Sequence, residues 1–382
     1  MYKKKLTGAG LRQRKNSLLI ITAVALSFGC HKSNVNEKDF RDFQQVNLVA
    51  NTTEYKPRTV DATLINAFGI AWSPNGIAWV NSVGGHVSEL FSAEGDTLRR
   101  VNIPSPNDIT GGFPCGIVFS GGKGFNLPNG GSLFLFSGFD GVLSGWNPAS
   151  GNNAQRIKHP DGASFTGLAI GASGGHNFIY AANFGASKID VWDTAFSHVA
   201  MSFKDPNLPS GYSPYNIQAV GDWLFVMYAK LGADGHGVAG AGEGFVSVFN
   251  TDGSFVKRFA SRGTLNIPWG VTMAPGSFLE DQDMSGDGGK TLGSSTDNER
   301  DNQKDPVILV GNFGDGHINV FSEDGKFLGQ LQSKSNKHPL VIDGLWALSF
   351  PPSSAGIDPA RLYFTAGPDH ESDGLFGYLI KQ

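Results

Sequence analysis

Apolar and polar positions recur along this chain in one short unit, and Ile308-Leu-Val-Gly-Asn-Phe-Gly-Asp-Gly-His-Ile-Asn-Val-Phe321 holds it whole. The apolar run 308–310 meets a glycine-rich turn at Asn312-Phe-Gly-Asp-Gly316, and alternation resumes through Ile318, Val320 and Phe321. Two antiparallel strands joined by a short loop read this way. Residues 179–185 with 189–192 copy the unit closely. Looser copies lie at 133–137 with 143–146, 77–81 with 87–91, 224–228 with 246–249, and 362–366 with 375–378. The pattern therefore predicts six hairpins.

A further short strand precedes each hairpin, marked by a glycine or small residue inside an apolar run. These are Phe68-Gly69-Ile70, Cys115-Gly116-Ile117, Thr166-Gly167-Leu168, Tyr215-Asn216-Ile217, Trp269-Gly270-Val271 and Trp346-Ala347-Leu348. Counted from residue 69, the steps between them are 47, 51, 49, 54 and 77 residues, so only the last demands a large insertion. Each third strand ends on an aromatic: Phe91, Trp146, Trp192, Phe249, Phe321 and Tyr378. A turn follows, clearest at Asp252-Gly253 and Asp324-Gly325, and then a fourth strand such as 255–259 or 327–331. Four short strands in a repeat of about fifty residues is the sequence form of a propeller blade. The expected fold is all-β: a six-bladed β-propeller with four antiparallel strands per blade. The sixth unit runs out after three strands, and 43–50 alternates like a strand, so an N-terminal strand is expected to close the ring and remove an exposed edge.

Ahead of the repeats, six cations lie among residues 3–15, before the uncharged run from Ser17 to Gly29. That run is too short for a resident membrane helix and the right length for an export signal. It stops at Leu26-Ser-Phe-Gly-Cys30, which resembles a bacterial lipoprotein signal with Cys30 as the lipidated first residue of the mature chain. Ser27 stands where such boxes usually carry leucine, and ordinary signal cleavage is the other reading. The expected organisation is a signal peptide over 1–29, a polar tether over 30–42 and the propeller over 43–382, with an acidic insertion at about 280–306. The protein is expected in the bacterial cell envelope, lipid-anchored, facing the periplasm or on the cell surface; if Cys30 is not lipidated, it is expected to be secreted. Any membrane association runs only through that anchor. Removing the six cations from the chain's 30 leaves 24 Lys+Arg against 34 Asp+Glu, a formal charge of −10. An acidic surface without a basic stripe argues against a nucleic-acid partner. Cys115 is then the one remaining cysteine; its place in a first strand points to burial near the axis, against the sharper reading of a catalytic thiol.

Tyr212-Ser-Pro-Tyr-Asn-Ile-Gln218, Ser261-Arg-Gly-Thr-Leu-Asn-Ile-Pro-Trp-Gly270, Gly311-Asn-Phe-Gly-Asp-Gly316, Ile342-Asp-Gly-Leu-Trp346 and Leu362-Tyr-Phe-Thr-Ala-Gly367 resemble a family of exported bacterial proteins. Its biochemical function is unassigned, and its members are expected to be six-bladed propellers. The resemblance covers about residues 43–382 and brings a fold but no reaction. More loosely, the blades resemble NHL-type repeats and the TolB-like six-bladed superfamily, which includes calcium-dependent gluconolactonases and strictosidine synthase-like proteins. Segment 280–306 departs from the family pattern, which joins first strand to second by a short turn.

Propellers commonly bind ligands at one channel mouth, on the loops between second and third strands and between consecutive blades. Here those loops carry Asn81, Asn183, Lys230, Asp234, His236, Asn312, Asp315, His317, Asp369-His370-Glu371 and Asp373. Starts of first strands add Tyr215, Trp269, Asp343 and Trp346 near the same rim. The candidate ligand-binding set is Asn183, Asn312, Asp315, Asp343, Tyr215, Trp269, Trp346, His370 and Asp373. Aromatics beside carboxamides and carboxylates suit a sugar, a peptide or a cation. For Asn183 and Asn312 the competing reading is turn chemistry, and for Trp269 and Trp346 it is core packing. Lactonase-like propellers place an asparagine and acidic residues around a divalent cation on the axis, an arrangement Asn183, Asn312 and Asp343 could imitate.

Asp281-Gln-Asp-Met-Ser-Gly-Asp287 opens like a calcium loop, making Asp281, Asp283 and Asp287 the candidate metal ligands. The twelfth position, where a bidentate glutamate belongs, is Leu292. Eight acidic and three basic residues between Glu280 and Asp305 equally describe a solvated loop. No cofactor is certain; a divalent cation such as calcium is the candidate. Gly240-Ala-Gly-Glu-Gly244 precedes a strand, so it presents no helix terminus to a phosphate. The leading expectation is a monomeric binding or scaffold module for a ligand or protein at the channel mouth. The alternative is a divalent-metal-dependent hydrolase or lactonase.

Overall fold

The computed structural model of the protein describes residues 39–122, 124–280 and 306–382. Cys30 and the Asp281, Asp283 and Asp287 set lie outside them.

Six antiparallel sheets succeed one another along the chain. Blade one is Ala67–Trp72, Ala78–Ser82, Val87–Phe91 and Thr97–Asn102; blade two is Pro114–Phe119, Phe134–Gly138, Leu143–Trp146 and Gln155–Lys158. Blade three is Phe165–Ser173, His176–Asn183 and Lys188–Asp193. Blade four is Tyr212–Val220, Trp223–Lys230, Gly244–Phe249 and Phe255–Ser261. Blade five is Pro268–Ala274, Val307–Asn312, Ile318–Ser322 and Phe327–Gln330, and blade six is Leu345–Ser349, Leu362–Ala366, Leu375–Lys381 and the N-terminal Phe43–Ala50. The first strand of each blade packs against the first strand of the next, and blade six returns to blade one. This is a six-bladed β-propeller.

The small residues of the first strands make this close approach possible. A Cβ on Gly69 would stand 2.3 Å from the Cys115 carbonyl oxygen, one on Gly116 2.5 Å from Leu168 N, and one on Gly270 2.6 Å from the Trp346 carbonyl oxygen. Neighbouring inner strands therefore meet backbone to backbone, which only glycine permits at these three positions. Blade four has Asn216 instead, and its Nδ2 donates to the Trp269 carbonyl at 2.8 Å. Second strands add cross-blade bonds: Asn81 Nδ2 donates to the Cys115 and Gly116 carbonyls at 3.2 Å, and Thr365 Oγ1 to the Phe68 carbonyl.

Phe43–Ala50 pairs antiparallel with Leu375–Lys381 from Phe43↔Lys381 to Ala50↔Leu375, closing the ring. Beyond the expected four strands, Thr59–Val60 adds a short parallel strand outside it. Blade three departs the other way, with three strands. Its fourth is reduced to a bridge between Trp192 and His198 and a bond from Val199 N to the Val191 carbonyl at 2.8 Å. The chain then crosses to blade four, where Phe203 N donates to the Gly253 carbonyl, and Tyr180, Phe203 and Phe249 pack together. Tertiary packing there displaces strand pairing. Tyr378 also departs from the repeat. The other five aromatics lie opposite equivalent second-strand positions, Phe91 opposite Ala78, Trp146 opposite Phe134, Trp192 opposite Ile179, Phe249 opposite Leu224 and Phe321 opposite Ile308, whereas in blade six Leu379 takes that place opposite Leu362. One residue of offset turns a side chain to the other face, and Tyr378 lies beside Tyr363 and under the Arg361 guanidinium.

Candidate functional site: a plugged channel mouth

The topology brings two sets of loops to one end of the ring, those between second and third strands and those between consecutive blades. Two tiers of side chains close the axis there. The lower tier comes from the starts of first strands: Phe68, Cys115, Tyr215, Trp269 and Trp346, all buried. The upper tier comes from corresponding positions at the ends of second strands: Val83, Phe139, Phe184, Ala229 and Phe313. Trp346 is the centre of the plug, stacked between Phe68 at 3.8 Å and Phe313 at 3.9 Å between ring centroids. Trp269 meets Phe68 edge-on at 5.1 Å, and Phe184 meets Tyr215 at 4.7 Å. Below the plug, the inner strands line a cavity of about 210 Å³ with Trp269 as one wall.

Blade six lacks an upper-tier side chain because Gly367 stands at that position. A Cβ there would lie 2.2 Å from Asn66 Oδ1. The notch admits a polar chain instead: Trp346 Nε1 donates to Asn66 Oδ1 at 2.8 Å, and Asn66 Nδ2 donates to Glu371 Oε2 at 2.6 Å. The indole thus aims the carboxamide, and the carboxamide holds the carboxylate. Burial pushes the Glu371 carboxyl above its usual range, opposed by the Asn66 hydrogen bond and by His236. Glu371 closes a left-handed turn in which Asp369, His370 and Glu371 have φ of 51°, 55° and 68°, with Glu371 N bonded to the Gly367 carbonyl at 3.1 Å. Each such non-glycine residue costs about 1–2 kcal/mol, and strain of this kind persists where surrounding structure over-determines it.

Sequence alone places Glu371 in a polar loop without distinguishing it and does not single out Asn66. The available signal is Gly367, the one glycine where other blades have Val, Phe or Ala.

The candidate residues divide by what their atoms do. Tyr215, Trp269 and Trp346 are plug members; Trp269 Nε1 donates to the Thr166 carbonyl at 3.0 Å, and burial pushes the Tyr215 hydroxyl well up. Asn183 organises a turn, accepting from Ser164 N and Ala186 N at 3.1 and 3.2 Å and donating to Asp190 at 2.8 Å. Asn312 donates to the Thr264 carbonyl at 2.7 Å and to Asp315 at 3.0 Å. Asp315 also accepts from His317 N at 3.1 Å and from Asn266 Nδ2 at 3.3 Å. Asp343 is exposed and accepts from Asp369 N at 3.1 Å. His370 is exposed on the left-handed turn. Asp373 faces the N-terminal segment, taking Asn51 Nδ2 and the Tyr55 hydroxyl, each at 2.7 Å. Cys115 is fully buried, and burial pushes its thiol well up, which opposes nucleophilic use.

Acidic groups outnumber basic ones at the mouth, although the connections between blades bring Arg262, Lys334 and Lys337 to the same end and Lys230 lies 4.0 Å from Glu243. The six loops between second and third strands hold seven carboxylates, Asp140, Asp234, Glu243, Asp315, Asp369, Glu371 and Asp373, and no lysine or arginine. A ligand approaching the plug meets a negative potential. Burial also raises the Asp140 carboxyl. Among the described residues, no three His, Cys, Asp or Glu side chains are grouped so as to hold a metal ion.

No family model matches the chain. Among solved structures, streptogramin B lyase aligns with a TM-score of 0.47 at 12% identity, over 89% of this chain and 97% of that one. A gluconolactonase of Xanthomonas campestris aligns at 0.45 and 15%, over 83% and 86%. Sequence similarity extends to proteins of Acanthamoeba polyphaga mimivirus. Uncharacterized protein L690 is 31% identical over 337 residues, 84% of this chain and 81% of that protein. Uncharacterized protein R648 is 30% identical over 351 residues, 87% and 79%. Identity at that level along most of both partners means that the chain belongs to the family of these uncharacterized mimivirus proteins.

Proposed function

We propose that the protein is a non-catalytic binding module, exported and anchored through a lipid on Cys30 in the manner of bacterial lipoproteins, whose ligand seats on the plugged mouth. The carrying observation is the plug itself: stacked rings occupy the axial position that a catalytic cation would need. The carboxamide of Asn183 is engaged by Ser164, Ala186 and Asp190, and that of Asn312 donates to Thr264 and Asp315, while Asp343 and His370 leave exposed polar groups at the rim. A metal-dependent lactonase would need several oxygens converging on the axis. The stacked rings therefore favour the binding module over that alternative.

Two experiments test the proposal. Ligand-observed NMR with a mixed panel of amines, sugars, acids and peptides is run on the wild type, on Phe313→Ala at the mouth and on Trp223→Ala on the opposite face. Hits lost only in Phe313→Ala support the mouth, and hits lost only in Trp223→Ala refute it. For the anchor, Cys30→Ser should abolish acyl labelling and release the protein from membranes; unchanged labelling and fractionation would refute that part.

A further inference from the structure

Exposed apolar residues complete the picture of this mouth. Ile109 and Phe113, exposed by 66% and 42%, lie on the connection from blade one to blade two, and Val341, exposed by 57%, on the connection from blade five to blade six. Val238, exposed by 40%, lies on the loop between the second and third strands of blade four. Connections of both kinds emerge at the plugged end, so all four residues rim the same face. Phe113 is held outward by its neighbours: His86 packs edge-on against its ring at 4.8 Å and is fixed by a contact from Nδ1 to the Gly112 carbonyl at 3.0 Å. The four apolar residues lie on three separate loops of that face, so together they offer apolar contacts to a partner that spans more than one blade.

The centre has a definite charge preference. Glu371 is anchored through Oε2 by Asn66, which also accepts from the Trp346 indole, and Trp346 in turn stacks on the half-buried Phe313 ring. A carboxylate held one carboxamide away from an aromatic stack, within six loops that together carry seven carboxylates, favours a cation at the axis. A purely inorganic cation would leave the apolar rim unused. A polypeptide segment satisfies both features.

We propose that the mouth is a docking surface for a protein segment that places one arginine or lysine side chain against Glu371 and Phe313 and its apolar neighbours against Ile109, Phe113, Val238 and Val341. The inference rests on the mouth reading and specifies its partner. Arginine is the better fit, because its planar guanidinium can lie on the Phe313 ring while donating to the carboxylate.

Titration calorimetry of the full chain with acetyl-Leu-Arg-Leu-amide, its citrulline analogue and n-butylguanidinium tests the proposal. The arginine peptide should bind saturably and roughly tenfold or more tighter than the citrulline peptide. Glu371→Gln keeps an acceptor for Asn66 and should erase that difference while leaving the melting curve unchanged. Joint Ile109→Ser and Val341→Ser should weaken the peptide several-fold without touching n-butylguanidinium. Absence of saturable binding of the arginine peptide at millimolar concentration, equal binding of the two peptides, or indifference to Glu371→Gln would overturn the proposal. n-Butylguanidinium binding as tightly as the peptide would assign the site to a free small cation instead. If cationic probes fail while neutral or acidic NMR hits still require Phe313, the mouth reading stands and this one falls.

Discussion

Glu89 in blade one occupies the register position that Ser247 occupies in blade four. Each pairs with an arginine eleven residues on, Arg100 and Arg258 respectively. Each arginine also holds an aspartate from the connection leading into its blade, Asp61 and Asp205. In blade four the third member is a hydroxyl, and Ser247 Oγ donates to Asp205 at 2.6 Å. In blade one it is a fully buried carboxyl, so two acids share one guanidinium at the seam where the ring closes.

That substitution makes the seam sensitive to protons. Burial, with Asp61 adding to it and Arg100 opposing, pushes the Glu89 carboxyl up to about 8. A carboxyl whose folded pKa exceeds its unfolded value contributes stability that is fully present below about 4.5 and lost as pH rises through about 8. The melting temperature should therefore decline across that window, and Glu89→Gln should flatten the decline. A variant with the wild-type slope would show that Glu89 does not carry it.

Removal of Phe43–Ala50 exposes the edge of Leu375–Lys381 and takes four buried side chains, Phe43, Leu48, Val49 and Ala50, from the core. At roughly 1.5–3 kcal/mol for each large apolar side chain, the loss is on the order of 5 kcal/mol or more. Chemical denaturation of the truncated chain should show a correspondingly lower midpoint or no cooperative transition. A midpoint matching the full chain would mean that the strand is dispensable.

Much of the fold was legible in the sequence because propeller blades are local: alternation, glycine turns and a fifty-residue period all lie within one repeat. Even ring closure could be read, from a strand missing at one end and one spare at the other. Where the reading failed, the cause was non-local. Blade three loses its fourth strand because Phe203 packs across on blade four, and Tyr378 sits one residue off the aromatic register. The site was less legible for the same reason. Asn66 and Glu371 are 305 residues apart and meet only because the ring closes. Asn183 and Asn312, conspicuous in sequence, make their hydrogen bonds within their own blades or to the connection that precedes them.

Gly69→Ala should be costly although it adds one methyl. The new Cβ would stand 2.3 Å from the Cys115 carbonyl oxygen, which is backbone and cannot rotate away. Overpacking of this kind costs about 1–3 kcal/mol, and here it would separate the inner strands of blades one and two. Gly276→Ala, where nothing lies within 4 Å, serves as the control and should be close to neutral. Equal denaturation midpoints for the two variants would refute the backbone-to-backbone account of the inner ring.

The left-handed turn over the notch yields the sharpest test of why the strain is kept. His370 is exposed, has φ of 55°, and lies between Asp369 and Glu371 in the same conformation. Glycine adopts this backbone without the Cβ penalty of about 1–2 kcal/mol, while its greater freedom in the unfolded chain returns part of that gain. His370→Gly should therefore stabilise the fold by about 0.5–1 kcal/mol. The turn would then also be free to leave the left-handed region, so Glu371 should be held less firmly and the arginine peptide should bind more weakly. Greater stability with weaker binding is the expected pair of results, read by denaturation and calorimetry on the same preparation. Lower stability would show that the imidazole, and not its backbone, matters to the turn. Greater stability with unchanged affinity would detach the strained turn from ligand binding altogether.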